Sequence, residues 1–159
     1  MNDLKPVLYV EDDENDLFLM ERAFEKVKVE HPLRNLPDGR EAISYLSGSG
    51  SYTNRSENPV PALVLLDLSM PGKGGLDVLQ WVRSQPALSH IPVVVLTSSN
   101  QDSDVQRAGQ LGANGYLIKP GEPDELVRMI SELHQYWLIE NHSLTTFVTV
   151  GVIQSSPKR

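Results

Sequence analysis

Four short apolar runs constrain this chain more than any other feature: Val7–Val10, Ala62–Leu66, Pro92–Leu96 and Tyr116–Ile118. They are rich in Val, Leu and Ile and nearly continuous. A strand with one wet face alternates apolar and polar residues, whereas a strand buried on both faces reads as an unbroken apolar run. The four runs therefore suit a parallel sheet covered by helices. A weaker run, Leu33–Leu36, contains the polar Arg34 and Asn35 and reads as an edge strand or a short one.

Between the runs the period becomes helical. Leu17, Met20, Phe24 and Val27 form one stripe near Asn15–Lys28, with Asp13 as its cap. Asp38 is placed to cap a second helix, with Glu41 in capping-box position and Ala42, Ile43 and Leu46 buried. Leu76, Leu79 and Val82 mark a third helix that ends before Pro86, and Val105, Ala108 and Leu111 mark a short fourth near Ser103–Leu111. Leu126, Ile130, Leu133 and Trp137 mark a fifth, with Pro123 near its start, where a missing N–H does no harm. The order is β-α repeated five times. The expected fold is α/β: a doubly wound five-stranded parallel sheet with five helices and right-handed crossovers. Such sheets bind ligands beyond the carboxyl ends of the strands, where the strand order reverses.

Two segments fall outside the repeat. Ser47–Val60 is a Gly/Ser/Asn/Pro loop longer than an ordinary connection. Leu138–Arg159 follows the last helix, and its stretch Thr145–Ile153 is β-branched, reading as a C-terminal strand-like arm. The expected division is residues 1–138 as one domain and 139–159 as an extension, with no separate output domain.

Composition excludes several functions. Fourteen Lys and Arg against twenty-one Asp and Glu leave a net charge of −7, unsuited to replacing counterions on nucleic acid. The absence of cysteine removes disulfides, thiolate-ligated zinc, iron–sulfur clusters and thiol catalysis. No apolar run approaches the roughly 20 residues of a membrane span. The opening MNDLKPVLYVEDD lacks a signal-peptide pattern. These features imply a soluble cytoplasmic domain with no nucleic-acid or membrane partner.

Chemistry collects at the strand ends. The first strand ends in Glu11, Asp12 and Asp13, the third in Asp67, the fourth in Thr97 and the fifth in Lys119. Crowded carboxylates raise one another's pKa, and a divalent cation relieves the repulsion. Hard oxygen ligands with open positions suit Mg²⁺, with Asp12 and Asp67 as direct ligands and Glu11 acting through water. Thr97 and Lys119 make sense if an anion sits beside the cation, Lys119 as its counter-charge and Thr97 as a hydrogen-bond donor. A phosphoryl group fits, and Asp67 is the carboxylate placed to accept it.

The motifs LYVEDD, LVLLDLSMPGKGG, VVVLTSS and GYLIKP together resemble the receiver domain of two-component response regulators, and the gaps between Asp67, Thr97 and Lys119 fit that family. The resemblance covers about residues 4–138 and implies a flavodoxin-like receiver fold. It makes Asp67 the phosphoacceptor, Glu11 and Asp12 the acid pair holding Mg²⁺, and the Ser69 backbone carbonyl a further ligand. Thr97 becomes the switch hydroxyl, Tyr116 the switch aromatic and Lys119 the phosphate-pairing lysine. The donor is then a sensor histidine kinase. The enlarged Ser47–Val60 loop, the IPVVVLTSS run and the ending ELHQYWL narrow the resemblance to single-domain regulators that partner bacterial and cyanobacterial phytochromes. Ser98 follows the switch Thr where Ala or Gly is also common. Ser69 and Ser99 stand where the family tunes aspartyl-phosphate hydrolysis, and both are small and polar.

Such a protein is not a classical enzyme, though it catalyses its own modification. Output passes to an unknown downstream protein through the fourth helix, fifth strand and fifth helix. Thr145–Ile153 suits addition to a partner's sheet edge, which implies a homodimer built from the fifth helix and the exchanged arm. Two alternatives share the parts. A haloacid-dehalogenase-like phosphatase wants a second acid two residues after the nucleophile, where this chain has Ser69. A pseudo-receiver that takes no phosphate usually loses one of the acid pair, the acceptor or the lysine, and this chain keeps all of them. Asp12, Glu14 and Asp16 loosely resemble a calcium loop, but Leu17 stands where the turn glycine belongs.

Overall fold

The computed structural model describes residues 4–70, 74–139, 147–150 and 154–156. Five strands carry the sheet: β1 (Val7–Val10), β2 (Leu33–Leu36), β3 (Leu63–Leu66), β4 (Val93–Thr97) and β5 (Gly115–Ile118). Five helices connect and follow them: α1 (Glu14–Val27), α2 (Gly39–Ser47), α3 (Gly75–Ser84), α4 (Asp102–Gln110) and α5 (Pro123–Leu133). The strands lie in the order β2-β1-β3-β4-β5, all parallel. This is the expected doubly wound five-stranded sheet with five helices.

The unbroken apolar runs follow from burial on both faces. Val7, Tyr9, Leu63, Leu65, Val94 and Leu96 face α1 and α5, packing on Met20, Phe24, Leu126 and Ile130. Their neighbours Leu8, Val10, Val64, Leu66, Val93 and Val95 face α2, α3 and α4, packing on Tyr45, Leu46, Leu79, Val82 and Ala108. Each such side chain taken from water contributes about 1.5–3 kcal/mol. Leu33–Leu36 is the edge strand its polar residues suggest. Trp81 and Trp137 pack against the two cores, as the helical stripes imply.

Helix ends are built from local carboxylates. Asp13 caps α1 by accepting from the Asp16 N–H at 2.9 Å, and Asp38 caps α2 by accepting from Glu41 at 2.9 Å. The expected reciprocal half of that second box is put to another use, because the Glu41 carboxylate accepts from the Tyr52 hydroxyl at 2.6 Å. Tyr52 belongs to a short 3-10 turn, Gly50–Tyr52, inside the long loop. Two arginines pin that loop. Arg55 donates to the Tyr45 and Leu46 carbonyls at 2.7 and 2.8 Å and to the Asn58 carbonyl at 3.0 Å. Arg34 donates to Asn58 Oδ1 at 2.6 Å and to the Glu57 carbonyl at 3.1 Å. Both guanidiniums lie over the Tyr45 ring, 5.2 and 5.8 Å from its centroid. Arg55 thereby supplies donors to the Tyr45 and Leu46 carbonyls in the last turn of α2, where helix carbonyls run out of intrahelical partners.

The arm departs from expectation. Phe147–Val150 is a strand, β6, but it lies parallel to β5 of its own chain, pairing Tyr116 with Thr149. A seventh strand, β7 (Gln154–Ser156), which the sequence pattern does not suggest, pairs antiparallel with β6. Residues 145–146 and 151–153 of the expected strand lie outside the described residues. Among the described residues no helix is long and apolar enough to cross a membrane. The fifth helix also departs from regular form, since His134–Ile139 continues α5 with π-type bonding.

Arg83 ties the amino ends of β4 and β5 to α3. Its guanidinium donates to the Gly112, Ser89 and Ile91 carbonyls and to Asn114 Oδ1 at 2.7–3.1 Å. Gly112 has φ +100, a left-handed conformation that favours glycine. Asn114 Oδ1 also accepts from the Val93 N–H at 2.8 Å. Arg83→Ala takes the guanidinium donor from the Gly112, Ser89 and Ile91 carbonyls and should cost about 2–4 kcal/mol. Arg83→Lys should recover only part of that, because an ammonium lacks the planar fork. Urea midpoints of the three proteins measure it, and an Arg83→Ala midpoint equal to wild type would remove the role assigned to this network.

Candidate functional site

The strand order reverses between β1 and β3, and Glu11, Asp12 and Asp67 sit just beyond the carboxyl ends of those two strands. Backbone bonds hold them in register. The Glu11 N–H donates to the Leu36 carbonyl at 3.0 Å and the Asp67 N–H to the Val10 carbonyl at 3.2 Å. Asn35 of β2 donates its side-chain amide to the Tyr9 and Glu11 carbonyls at 2.9 and 3.0 Å. The Lys119 N–H donates to the Thr97 carbonyl at 2.8 Å, which sets the lysine beside β4.

Lys119 is the centre of the cluster. Its amine contacts Glu11 Oε1 at 2.6 Å, Asp16 Oδ2 at 2.6 Å and Asp67 Oδ2 at 3.3 Å. Glu11 also accepts from the Tyr9 hydroxyl at 3.1 Å and, through Oε2, from the Asp13 N–H at 3.1 Å. Asp67 Oδ1 accepts from the Ser69 N–H at 3.1 Å. Burial of the Lys119 amine works against its charge, but the bonds to Asp16 and Glu11 outweigh it and raise the lysine pKa above its ordinary value. Burial, reinforced by the Asp67 charge, holds Glu11 above the usual carboxylate range despite the opposing bonds from Lys119 and Asp13. One ammonium does not neutralise three carboxylates. The Tyr9 hydroxyl is likewise raised, by burial and by the Glu11 charge.

One carboxylate oxygen from each of Glu11, Asp12 and Asp67 lies within 4.8 Å of the others. Glu11 and Asp67 are buried and Asp12 is exposed at the rim. A compact all-oxygen donor set carrying excess negative charge fits a hard divalent cation. Ser69 is exposed beside it.

Thr97 and Tyr116 form a second group. Both are fully buried. The Thr97 hydroxyl accepts from the Ser99 N–H at 3.4 Å, and the Tyr116 hydroxyl donates to the Ser99 carbonyl at 2.9 Å. The Ser99 hydroxyl bonds the Asp104 carboxylate in the first turn of α4. Ser99 therefore ties the β4–α4 loop to the Thr97 and Tyr116 side chains and to the helix. On the other wall, Gly75 opens α3 against the acceptor strand: a Cβ there would lie 2.3 Å from the Asp67 carbonyl oxygen. Only glycine lets the helix approach this closely.

Sequence pattern identified Glu11, Asp12, Asp67 and Lys119 as one cluster, and the structure brings them together. It did not identify Asp16, Asn35 or Tyr9. Asp16 carries a signal of a kind, since it is an acid at the third helical position of α1. Asn35 was visible only as a polar residue in an apolar strand.

The chain belongs to the response regulator receiver domain family, whose model matches residues 7–131. It is 37% identical over 137 residues to the response regulator Rcp1 of a Synechocystis strain, covering 86% of this chain and 91% of that protein. It is 39% identical over 140 residues to a probable methanogenesis regulatory protein, FilR2, of Methanothrix harundinacea, covering 86% of each. The phosphorylated cyanobacterial phytochrome response regulator RcpA superposes with a TM-score of 0.81 at 34% identity, over 88% of this chain and 98% of that one. A solved structure of Rcp1 is its Mn²⁺-bound form, with a TM-score of 0.78 at 35% identity, over 87% of this chain and 98% of that one.

A cation that binds the folded chain and not the unfolded one stabilises it by mass action. At a hundred times its dissociation constant, Mg²⁺ should add about 2.7 kcal/mol. Asp12→Asn should lose most of that gain. Melting curves with and without Mg²⁺ read both, and a wild-type curve that Mg²⁺ leaves unmoved would rule out the site.

Proposed function

We propose that this chain is a single-domain response regulator that accepts a phosphoryl group from a sensor histidine kinase on Asp67. The observation that carries the reading is the meeting of Asp67, the Glu11–Asp12 acid pair and Lys119 at the switch point of the sheet, in a chain of the receiver family. Mg²⁺ held by Glu11, Asp12, Asp67 and the Ser69 carbonyl supplies charge neutralisation for the transferred phosphoryl oxygens. Lys119 pairs with one of those oxygens, and Asp67 supplies the nucleophilic carboxylate.

The phosphoryl group adds charge and acceptors next to a packed loop. Thr97 turns its hydroxyl toward the new acceptor and releases the Ser99 N–H. Tyr116 follows into the space vacated and gives up the Ser99 carbonyl. The result is a population shift between two packings of the face formed by α4, β5 and α5, biased by the contacts each makes with the phosphoryl group. That face contacts the downstream protein.

The names of the relatives suggest the partner. RcpA is named as a phytochrome response regulator and supports a phytochrome-linked kinase as donor, whereas FilR2 is named for methanogenesis. Residues 1–138 act as the receiver and 139–159 as an extension. The protein pairs as a homodimer through α5 and the arm, with β6 of one copy adding to β5 of the other in place of its own.

Intact-mass measurement after incubation with Mg²⁺ and acetyl phosphate tests the acceptor. Wild type should gain one phosphoryl mass and Asp67→Asn none, while Lys119→Ala should be modified yet fail to change its association state. An unmodified wild type defeats the proposal. The arm is tested by truncation after Leu138, which should convert a dimer to a monomer in sedimentation. A truncated chain that stays dimeric removes the arm from the interface.

A further inference from the structure

Asp16 is the one partner of Lys119 to which neither the metal site nor the phosphoacceptor lays claim. It is the third residue of α1, where an acid ordinarily turns back to bond the N–H of the cap residue. Here that N–H belongs to Asp13 and is already taken by Glu11 Oε2 at 3.1 Å. The Asp16 carboxylate is thereby free to cross from α1 to the loop after β5, and it meets the Lys119 amine at 2.6 Å. Its side chain is 31% exposed, against 1% for Glu11 and 5% for Asp67. Asp16 at the mouth and Glu11 in the interior each hold the amine at 2.6 Å, and Asp67 stands 3.3 Å from it.

We propose that Asp16 is a positioning residue that holds Lys119 toward the mouth of the site and competes with the phosphoryl group for its amine. The inference rests on the reading of Asp67 as phosphoacceptor. In the reaction with acetyl phosphate, an Asp67 carboxylate oxygen bonds phosphorus as the P–O bond to acetate breaks, and acetate leaves with the electron pair. The phosphoryl oxygens need the Lys119 charge as they approach Asp67. Asp16 opposes this twice, by holding the amine and by repelling an anionic donor at the mouth. Toward a divalent cation its effect is reversed. Its own negative charge attracts the cation, and it keeps the lysine charge from settling wholly on Glu11 and Asp67.

Neutralising Asp16 therefore moves two measurements in opposite directions, which general loosening of the site does not do. Asp16→Asn should phosphorylate about two- to fivefold faster at saturating Mg²⁺, and its Mg²⁺ dissociation constant should rise about two- to fivefold, the scale of a part-exposed ion pair. Stopped acetyl phosphate reactions read by intact mass give the first, and isothermal titration calorimetry gives the second. Asp16→Glu, which restores the charge, should return both values toward wild type. A wild type that takes no phosphoryl group overturns the phosphoacceptor reading and this inference with it. A wild type that is modified, with Asp16→Asn no faster or no weaker for Mg²⁺, overturns the role of Asp16 alone.

Discussion

Lys119 places one positive charge among the carboxylates of Glu11, Asp16 and Asp67, two of them almost wholly buried. Removing two carboxylates from water is costly, and a single ammonium at hydrogen-bond distance offsets only part of that. Burial, reinforced by the Asp67 charge, accordingly keeps the Glu11 pKa raised. Asp12 then adds a further carboxylate at the rim. A pocket in this condition is stabilised by a cation, and a cation once bound makes it attractive to a phosphoryl group. The same imbalance that weakens the pocket as a structural element suits it to transient occupancy.

The imbalance is tolerable because the surrounding backbone leaves the charges little room to separate. β1 and β3 are buried on both faces, so Glu11 and Asp67 emerge from strands fixed by packing above and below. Asn35 and the Leu36 carbonyl hold the Glu11 backbone from the β2 side. From the other side α3 approaches the Asp67 carbonyl so closely that only Gly75 fits. Among the described residues, the wall held chiefly by side chains is the β4–α4 loop, through Ser99. That loop is tied through Ser99 to the buried Thr97 and Tyr116, while Glu11 and Asp67 are held by strand packing.

The strands and the four central site residues were legible in the sequence because both depend on local pattern. Unbroken apolar runs can be satisfied only by two-sided burial, and a charged residue at the end of such a run is committed to the strand terminus. What was hidden depends on pairs far apart in the chain. Asp16 reads as an ordinary first-turn acid until Glu11 is seen to have taken its usual partner. Arg34 reads only as a polar residue of a weak strand and Arg55 as part of a long loop until both are found over the Tyr45 ring. Glu41 fits a capping box by spacing, but a loop tyrosine arriving from eleven residues away claims it. The arm was legible as a strand and not as to its partner, because β-branched composition specifies pairing without specifying an edge.

That edge lies beside one of the buried residues of the site. β5 carries the buried Tyr116, and the arm pairs with β5 at that residue, so this strand is flanked by β4 on one side and β6 on the other. Without β6, the row of N–H and C=O groups along β5 would be open to any extended chain. Filling it from within the chain or from a second copy makes the same hydrogen bonds, so the two arrangements differ little in backbone pairing.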